Sequence, residues 1–169
     1  TLDTRGPMSC GVPVVYLENW DSEEVLKTIQ EKRITHGHLV PIMFQRLLAL
    51  PKEVRERYDH SSLKYIQHGA APCPPDVKRA MIDWWGPVLF EYYCGTEGGG
   101  GFAMDSHEWL KKPGSVGKKA PGVGVKALDD EGNEVPAGVP GKLYFQRSQA
   151  SPFSYYKDPA KTAASHIAD

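Results

Sequence analysis

A short segment near the middle of the chain, residues 92–98, holds the residue types best suited to chemistry. It reads Tyr-Tyr-Cys-Gly-Thr-Glu-Gly and ends an apolar run that is typical of a buried strand. Tyr93 offers a flat aromatic face, Thr96 a hydroxyl for a phosphate oxygen, and Glu97 the hard oxygen ligand that Mg²⁺ prefers. Since α/β sheets bind ligands beyond the carboxyl ends of their strands, this spacing indicates a nucleotide site. A buried strand followed by a flexible glycine loop is the alternative.

The elements that position this segment are predicted as alternating strands and helices. Apolar runs predict four strands, at residues 12–17, 34–40, 63–67 and 88–93. Asp21 with Glu24 forms a capping box for one helix, Pro41 begins a second, and Pro75 and Gly86 bracket a third. This βαβ pattern predicts an α/β fold whose parallel sheet brings the ends of neighbouring strands to one edge.

From about residue 113 the sequence changes to short alternating runs with glycines and prolines. Residues 123–128 and 142–146 alternate, and the acidic residues 129–133 have turn chemistry, so an antiparallel hairpin or open barrel is predicted. A calcium loop at 129–133 is disfavoured because the ligand spacing is absent. We expect a portion of an α/β subdomain over residues 1–112 and a portion of a β-rich subdomain over 113–169.

Further motifs lie in a fixed order around the central segment. His68-Gly69-Ala70-Ala71-Pro72 precedes it by one strand-helix-strand unit, THGHLVP lies at 35–41, PGSVG at 113–117, and the run from 129 to 162 ends in YYKDPAKT. In this order the motifs resemble those of the AMP-forming acyl-CoA synthetases, adenylate-forming ligases that include fatty-acyl-CoA ligases and luciferase. The resemblance extends over residues 12–165.

The resemblance implies a two-step reaction and a set of site residues. A fatty or related carboxylate would attack Mg-ATP to give acyl-AMP and pyrophosphate, and the coenzyme A thiol would then displace AMP. Thr96 would contact the α-phosphate and Glu97 would bind Mg²⁺, which makes them the catalytic candidates. The residues implied around adenine lie in the loop Gly69, Ala70, Ala71 and Pro72 and on the strand Glu91, Tyr92 and Tyr93.

The chain also departs from the pattern of that family. It contains no GK[ST] phosphate loop, and it ends before the family's Gly-Asp ribose motif, hinge and C-terminal catalytic lysine. We therefore expect an internal piece of a larger ligase that lacks thioester-forming activity by itself. Cys94 stands where many members have glycine, and Lys142 where they have glutamate.

Composition limits the partners and the compartment. The chain has 169 residues, a net charge of −1 and a pI near 6.6, so we do not expect it to bind nucleic acid through charge. Three cysteines without CxxC spacing indicate reduced thiols, no apolar run reaches a membrane span, and a cytoplasmic location is expected. The predicted first strand, at 12–17, would leave an edge through which the chain self-associates.

Other interpretations of the same residues are weaker. His36 and His38 would share one face of a strand, but no third metal ligand is positioned with them, so they are interpreted as structural or as pocket lining. Gly98–Gly101 is interpreted as a loop beside the site. Trp84, Trp85 and Trp109 are interpreted as packing aromatics.

Two other classes of function stay open. A hydrolase would need a G-x-S-x-G elbow, which the chain lacks. An inert structural fragment, or a nucleotide-binding module without catalysis, would carry the same motifs as a ligase fragment.

Overall fold

A computed structural model of the chain describes residues 2–97, 100–146 and 153–166, with only the backbone of residues 2–4. The helices of this described part are α1 Leu2–Ser9, α2 Ser22–Lys32, α3 Pro41–Leu48, α4 Lys52–Arg55, α5 Pro75–Trp85, α6 Ser106–Lys111 and α7 Pro159–Ala164. Its strands are β1 His36–Leu39, β2 Tyr65–His68, β3 Leu89–Cys94, β4 Gly100–Asp105, β5 Lys118–Lys119, β6 Val125–Leu128 and β7 Lys142–Phe145. Within these described ranges, no helix is long and apolar enough to cross a membrane.

The strands form one mixed sheet and one small antiparallel sheet. The hydrogen-bonded order of the larger sheet is β1-β2-β3-β4-β5, in which β1 pairs parallel with β2, β2 parallel with β3, and β4 antiparallel with β5. Strands β6 and β7 pair antiparallel across the acidic turn, with Val125 opposite Phe145. The predicted fold class, an α/β sheet followed by a small antiparallel hairpin, is confirmed.

The chain divides into two compact units. The first contains residues 1–92 and 104–117, and the second contains residues 93–103 and 118–169. The boundary expected from sequence at residue 113 stays a prediction, because compactness does not test whether either part folds alone.

The predicted helix ends agree with the structure. The Asp21 side chain accepts the backbone N–H of Glu24 at 2.8 Å, which satisfies one of the amides that a helix N-terminus leaves unpaired. Pro41 and Pro75 occupy first-turn positions of α3 and α5, where a missing N–H costs nothing. Gly86 follows α5 with a φ of 81°, a left-handed conformation that glycine adopts without steric cost.

Two predicted segments are wrong. Residues 12–17 form no strand: the segment is irregular, and Pro13 within it cannot donate a ladder hydrogen bond. The interpretation of Gly98–Gly101 as a loop fails at its second half, because Gly100 and Gly101 begin β4. A Cβ on Gly100 would lie 2.3 Å from the Cα of Cys94, so glycine is needed for the backbone to pass there. Gly98 and Gly99 lie outside the described residues.

The core of the first unit is built from one face of its sheet and the helices that cover it. Ile66 and Leu89 face Phe44 and Leu47 of α3 and Met81 and Ile82 of α5, all of them buried. Trp85 and Trp109 are buried and Trp84 packs partly buried against the same cluster, so their predicted role as packing aromatics is confirmed.

A buried polar cluster, formed by Lys78, Glu91 and His68, adjoins this core. Lys78 of α5 is fully buried, and its Nζ lies 2.5 Å from Oε2 of Glu91, on β3. The Lys78 ammonium also lies 5.1 Å from the centre of the Trp109 ring, a cation–π distance. Losing one partner of such a pair leaves a buried charge, which costs about 3–5 kcal/mol. The pair therefore holds α5 against β3 in one register.

Ser106 ties the returning segment of the first unit to the same strand. Its buried hydroxyl accepts the N–H of Leu89 at 3.0 Å and donates to the carbonyl of Leu89 at 2.8 Å. Both backbone groups of Leu89 are thereby paired where water cannot reach them.

His68 belongs to the buried cluster and makes its stability depend on pH. It is fully buried beside Phe44, and neither ring nitrogen has a hydrogen-bond partner in the described part of the chain, although Nε2 lies 3.9 Å from Oε2 of Glu91. Burial, and next the nearby charge of Lys78, lower the pKa of His68 from 6.5 to about 3.

Replacing His68 with leucine is expected to flatten the pH dependence of stability. Below the ordinary pKa of 6.5 the unfolded chain binds a proton at His68, while the folded chain does not until about pH 3. The stability present above pH 6.5 is therefore lost as the pH falls, by about 1 kcal/mol per pH unit. Urea unfolding of the chain and of His68→Leu at pH 7, 6 and 5 measures this component. Equal slopes in the two proteins would contradict a neutral buried His68.

Candidate functional site

In the first unit, the backbone that leaves β2 passes directly against β3. A Cβ added to Gly69 would lie 2.7 Å from two ring carbons of Tyr92 and 2.7 Å from its carbonyl oxygen. Such a distance is far inside van der Waals contact, so only glycine fits between the turn and the strand. The sequence-predicted residues Gly69 and Tyr92 are thus brought into contact.

The next three residues of the turn are open to solvent. Ala70 has a φ of 66°, a left-handed conformation that costs a residue with a Cβ roughly 1–2 kcal/mol. Ala70, Ala71 and Pro72 are exposed, whereas Gly69 before them is buried. Because the side chains of residues 70–72 are small, a flat ligand can approach the backbone of this turn closely.

Tyr92 is held in place by a contact from the first strand. Its hydroxyl lies 3.1 Å from Nε2 of His38, and the two rings meet edge to face with centroids 5.6 Å apart. Either atom can donate, depending on the tautomer of His38. His38 is exposed on β1, and its interpretation as structural or as pocket lining stays a prediction.

Glu91 differs from the other predicted residues because its carboxylate is buried. The side chain points into the core, where Lys78 donates to Oε2. Burial lowers the pKa of Lys78, and the hydrogen bond and charge of Glu91 oppose that shift. Glu91 and Tyr92 are consecutive on β3 and so lie on opposite faces, one charged group inside and one ring outside.

The second unit contains the other predicted residues. Tyr93 is 41% exposed and meets the Phe102 ring edge to face at 6.0 Å, so part of its ring face is accessible. Thr96 and Glu97 are exposed in the turn that follows β3. Oε1 of Glu97 accepts a hydrogen bond of 3.1 Å from the hydroxyl of Tyr155.

The donors present fit a cation that is held partly by a nucleotide. Among the described residues no group of three or more His, Cys, Asp or Glu side chains is placed to hold a metal ion. Mg²⁺ commonly takes one or two carboxylates and completes its shell with water and substrate phosphates. An exposed carboxylate such as Glu97, with one oxygen engaged by Tyr155, has the chemistry for that role.

The sequence did not single out two residues that support these positions, Lys78 and Tyr155. Lys78 falls on the buried face of α5 with Met81, Ile82 and Trp85, and a lysine at that helical spacing was the available signal. Tyr155 carries no spacing signal toward Glu97, from which it is separated by 58 positions. His38, which contacts Tyr92, was interpreted from the sequence as structural or as pocket lining.

Comparison with known proteins identifies the family. Residues 1–155 match the family model described as "AMP-binding enzyme". The human mitochondrial acyl-coenzyme A synthetase ACSM5 is 30% identical over 174 aligned positions, which cover 100% of this chain and 29% of that protein. The chain thus spans less than a third of the length of the curated relatives that it matches.

Solved structures agree with this match. The anthranilate CoA ligase AuaEII in complex with anthranoyl-AMP is 27% identical, with a TM-score of 0.77 over 91% of this chain and 30% of that one. The amide bond synthetase McbA from Marinactinospora thermotolerans is 31% identical, with a TM-score of 0.74 over 88% of this chain and 30% of its own. From its fold and its family match, this chain belongs to the AMP-binding enzymes, the adenylate-forming ligases.

Proposed function

We propose that the chain supplies adenosine-binding and metal-binding residues to an AMP-forming acid–thiol ligase. In this reaction a carboxylate and ATP give acyl-AMP and pyrophosphate, and coenzyme A then takes the acyl group as a thioester. The family match and relatives named as acyl-coenzyme A synthetases support the proposal. An inert structural fragment, or a module that binds nucleotide without catalysis, is the alternative, and the AMP titrations below test the inert fragment directly.

The observation that carries the proposal is the approach of Tyr92 to Gly69. It joins an aromatic ring to a glycine turn at the carboxyl ends of two neighbouring parallel strands, where α/β sheets bind ligands. In the proposed complex the backbone and small side chains of residues 69–72 lie along adenine. Tyr92 and Tyr93 are proposed to contribute aromatic surface to the adenine site, while Glu91 contributes its backbone and, through Lys78, the fixed position of the strand.

Thr96 and Glu97 are proposed to act on the phosphates. The Thr96 hydroxyl donates to an α-phosphate oxygen, and the Glu97 carboxylate holds Mg²⁺. When bound, Mg²⁺ supplies charge neutralisation to the transferring phosphates. The protein's contribution is to fix that charge in position before reaction, which avoids the cost of reorganising solvent.

The substrate class and location are finer proposals. A fatty or related carboxylic acid is proposed as the acyl donor, in line with relatives named as acyl-coenzyme A synthetases. The cytoplasmic location stays a prediction, and the ACSM relatives carry the description "mitochondrial". Self-association stays a prediction as well: Val12, Val15, Tyr16 and Leu17 are exposed, although they form no strand.

Gly69→Ala is expected to weaken AMP binding by about tenfold or more. The added methyl group would meet the Tyr92 ring and carbonyl, so the turn and the strand must separate where the base is proposed to bind. Gly6→Ala is the matched control, because Gly6 has nothing within 4 Å of its added methyl and an ordinary φ. Isothermal titration of the 169-residue chain with AMP measures the effect.

Thermal unfolding of both variants shows whether the fold survives. If Gly69→Ala does not fold, Tyr92→Leu removes the ring and keeps the glycine, and it is expected to weaken AMP binding to a similar extent. Binding of AMP with unchanged affinity by Gly69→Ala or Tyr92→Leu would contradict the proposed adenine site.

Glu97→Gln and Tyr93→Ala are expected to affect different parts of the nucleotide. Glu97→Gln should remove most of the gain in ATP affinity that Mg²⁺ gives, about tenfold, and leave AMP affinity unchanged, because the amide cannot replace an anionic ligand. Tyr93→Ala should weaken AMP and Mg-ATP alike by about tenfold, since base stacking contributes to both. Titrations with AMP, with ATP in EDTA and with Mg-ATP separate these effects.

The same signature in both variants would contradict the division of roles.

An assay for acyl-CoA formation belongs beside these titrations. The chain alone is expected to form none, because positioning and electrostatic contributions of a phosphate loop and a catalytic lysine are each large in such reactions. Turnover by the purified chain would overturn that expectation, and binding without turnover is what the proposal predicts.

A further inference from the structure

The segment 153–166, which the proposed function does not use, contacts the carboxylate to which that function assigns the metal. Tyr155 donates its hydroxyl hydrogen to Oε1 of Glu97 at 3.1 Å, and both residues belong to the second unit. The other oxygen, Oε2, has no hydrogen-bond partner among the described residues. The carboxylate is therefore held by one oxygen and offers the other.

The position of Tyr155 is fixed by a chain of local hydrogen bonds. Its backbone N–H donates to Oγ1 of Thr162 at 2.9 Å, and that hydroxyl donates to the carbonyl of Asp158 at 2.8 Å. Asp158 caps α7 by accepting the N–H of Lys161 at 2.9 Å. The turn from 155 to 162 thus closes on itself and presents the phenol from a defined backbone.

The ring of Tyr155 also contacts two other side chains. Nζ of Lys161 lies 4.0 Å from the ring centre, a close cation–π contact, and the Phe153 ring meets it edge to face at 4.7 Å. The next residue, Tyr156, is 86% exposed. Two adjacent tyrosines therefore differ sharply: the first is packed and bonded to Glu97, and the second extends into solvent.

We infer that Tyr155 is a positioning residue that orients the Glu97 carboxylate toward the metal-bound triphosphate of ATP. The inference rests on the proposed function, because it assigns a purpose to the same carboxylate. A glutamate in an exposed turn samples several rotamers, and fixing one of them before the ligand arrives lowers the entropy cost of binding. One hydrogen bond to Oε1 would leave Oε2 to hold the cation.

The test compares two tyrosines that are neighbours in the sequence. Tyr155→Phe should lower the gain in ATP affinity that Mg²⁺ gives by about three- to tenfold and leave AMP affinity unchanged. Tyr156→Phe, which removes the same hydroxyl one residue away, should change neither quantity. The readout is the ratio of dissociation constants for ATP in EDTA and for Mg-ATP, measured by isothermal titration of the 169-residue chain.

A second pair of variants moves Tyr155 without touching its ring. Thr162→Val loses the oxygen that accepts the Tyr155 N–H, whereas Thr162→Ser retains it. Valine should reproduce the loss seen in Tyr155→Phe, and serine should restore most of the Mg²⁺ gain. In Glu97→Gln the change Tyr155→Phe should have no further effect on that gain, since the group that it orients no longer carries a charge.

The outcomes distinguish the inference from the function on which it rests. If the unmodified chain binds Mg-ATP more tightly than ATP in EDTA, and Tyr155→Phe and Thr162→Val lose this gain while Tyr156→Phe and Thr162→Ser keep it, the inference stands. If Tyr155→Phe behaves like Tyr156→Phe while the Mg²⁺ gain persists, the inference is overturned and the proposed function is not. If the unmodified chain shows no Mg²⁺ gain, both are overturned.

Discussion

The candidate site depends on one close approach, between the turn after β2 and the strand β3 at Tyr92. The Gly69 backbone has room only because it lacks a Cβ, since one would lie 2.7 Å from the ring and carbonyl of Tyr92. The Gly69 backbone therefore packs directly on the Tyr92 ring at the end of the sheet. Ala70 takes up a left-handed φ to continue the turn, and strain of this kind persists where the surrounding structure imposes it.

A buried ion pair on the opposite face of the sheet fixes the register of β3 against β2. Glu91 precedes Tyr92 on β3, and its carboxylate is bound to Lys78 inside the core while Trp109 covers the ammonium. His68 is the register partner of Glu91 on β2 and precedes Gly69. A slip of one residue would expose Glu91 and bury Tyr92, breaking the pair in a place where an unpaired charge costs several kcal/mol, so register and site geometry are coupled.

Much of this arrangement could be predicted from local sequence, and the remainder depends on tertiary contacts. Asp21, Pro41, Pro75 and Gly86 marked helix ends through short-range backbone chemistry, and the apolar strands β2 and β3 followed from their composition. Residues 12–17 are equally apolar in sequence, but they pair with no strand of the described part of the chain. Pro13 cannot donate a ladder hydrogen bond there. The helix from Ser106 was not predicted, although the Asp105 side chain caps it by accepting the N–H of Glu108. The resemblance implied that Gly69 and Tyr92 lie around adenine. Their direct contact, like the Lys78–Glu91 and Tyr155–Glu97 contacts, joins residues distant in the sequence and follows only from the fold.

The central claim is that the carboxyl ends of β2 and β3 bind the adenosine part of a nucleotide. The most direct measurement is a titration of the isotopically labelled chain with AMP, followed through its backbone amide resonances. The account predicts saturable shifts that are largest at Gly69–Ala71 and at Tyr92 and Tyr93, with little change in residues 125–145. Saturable shifts centred elsewhere, or none at millimolar AMP, would contradict it.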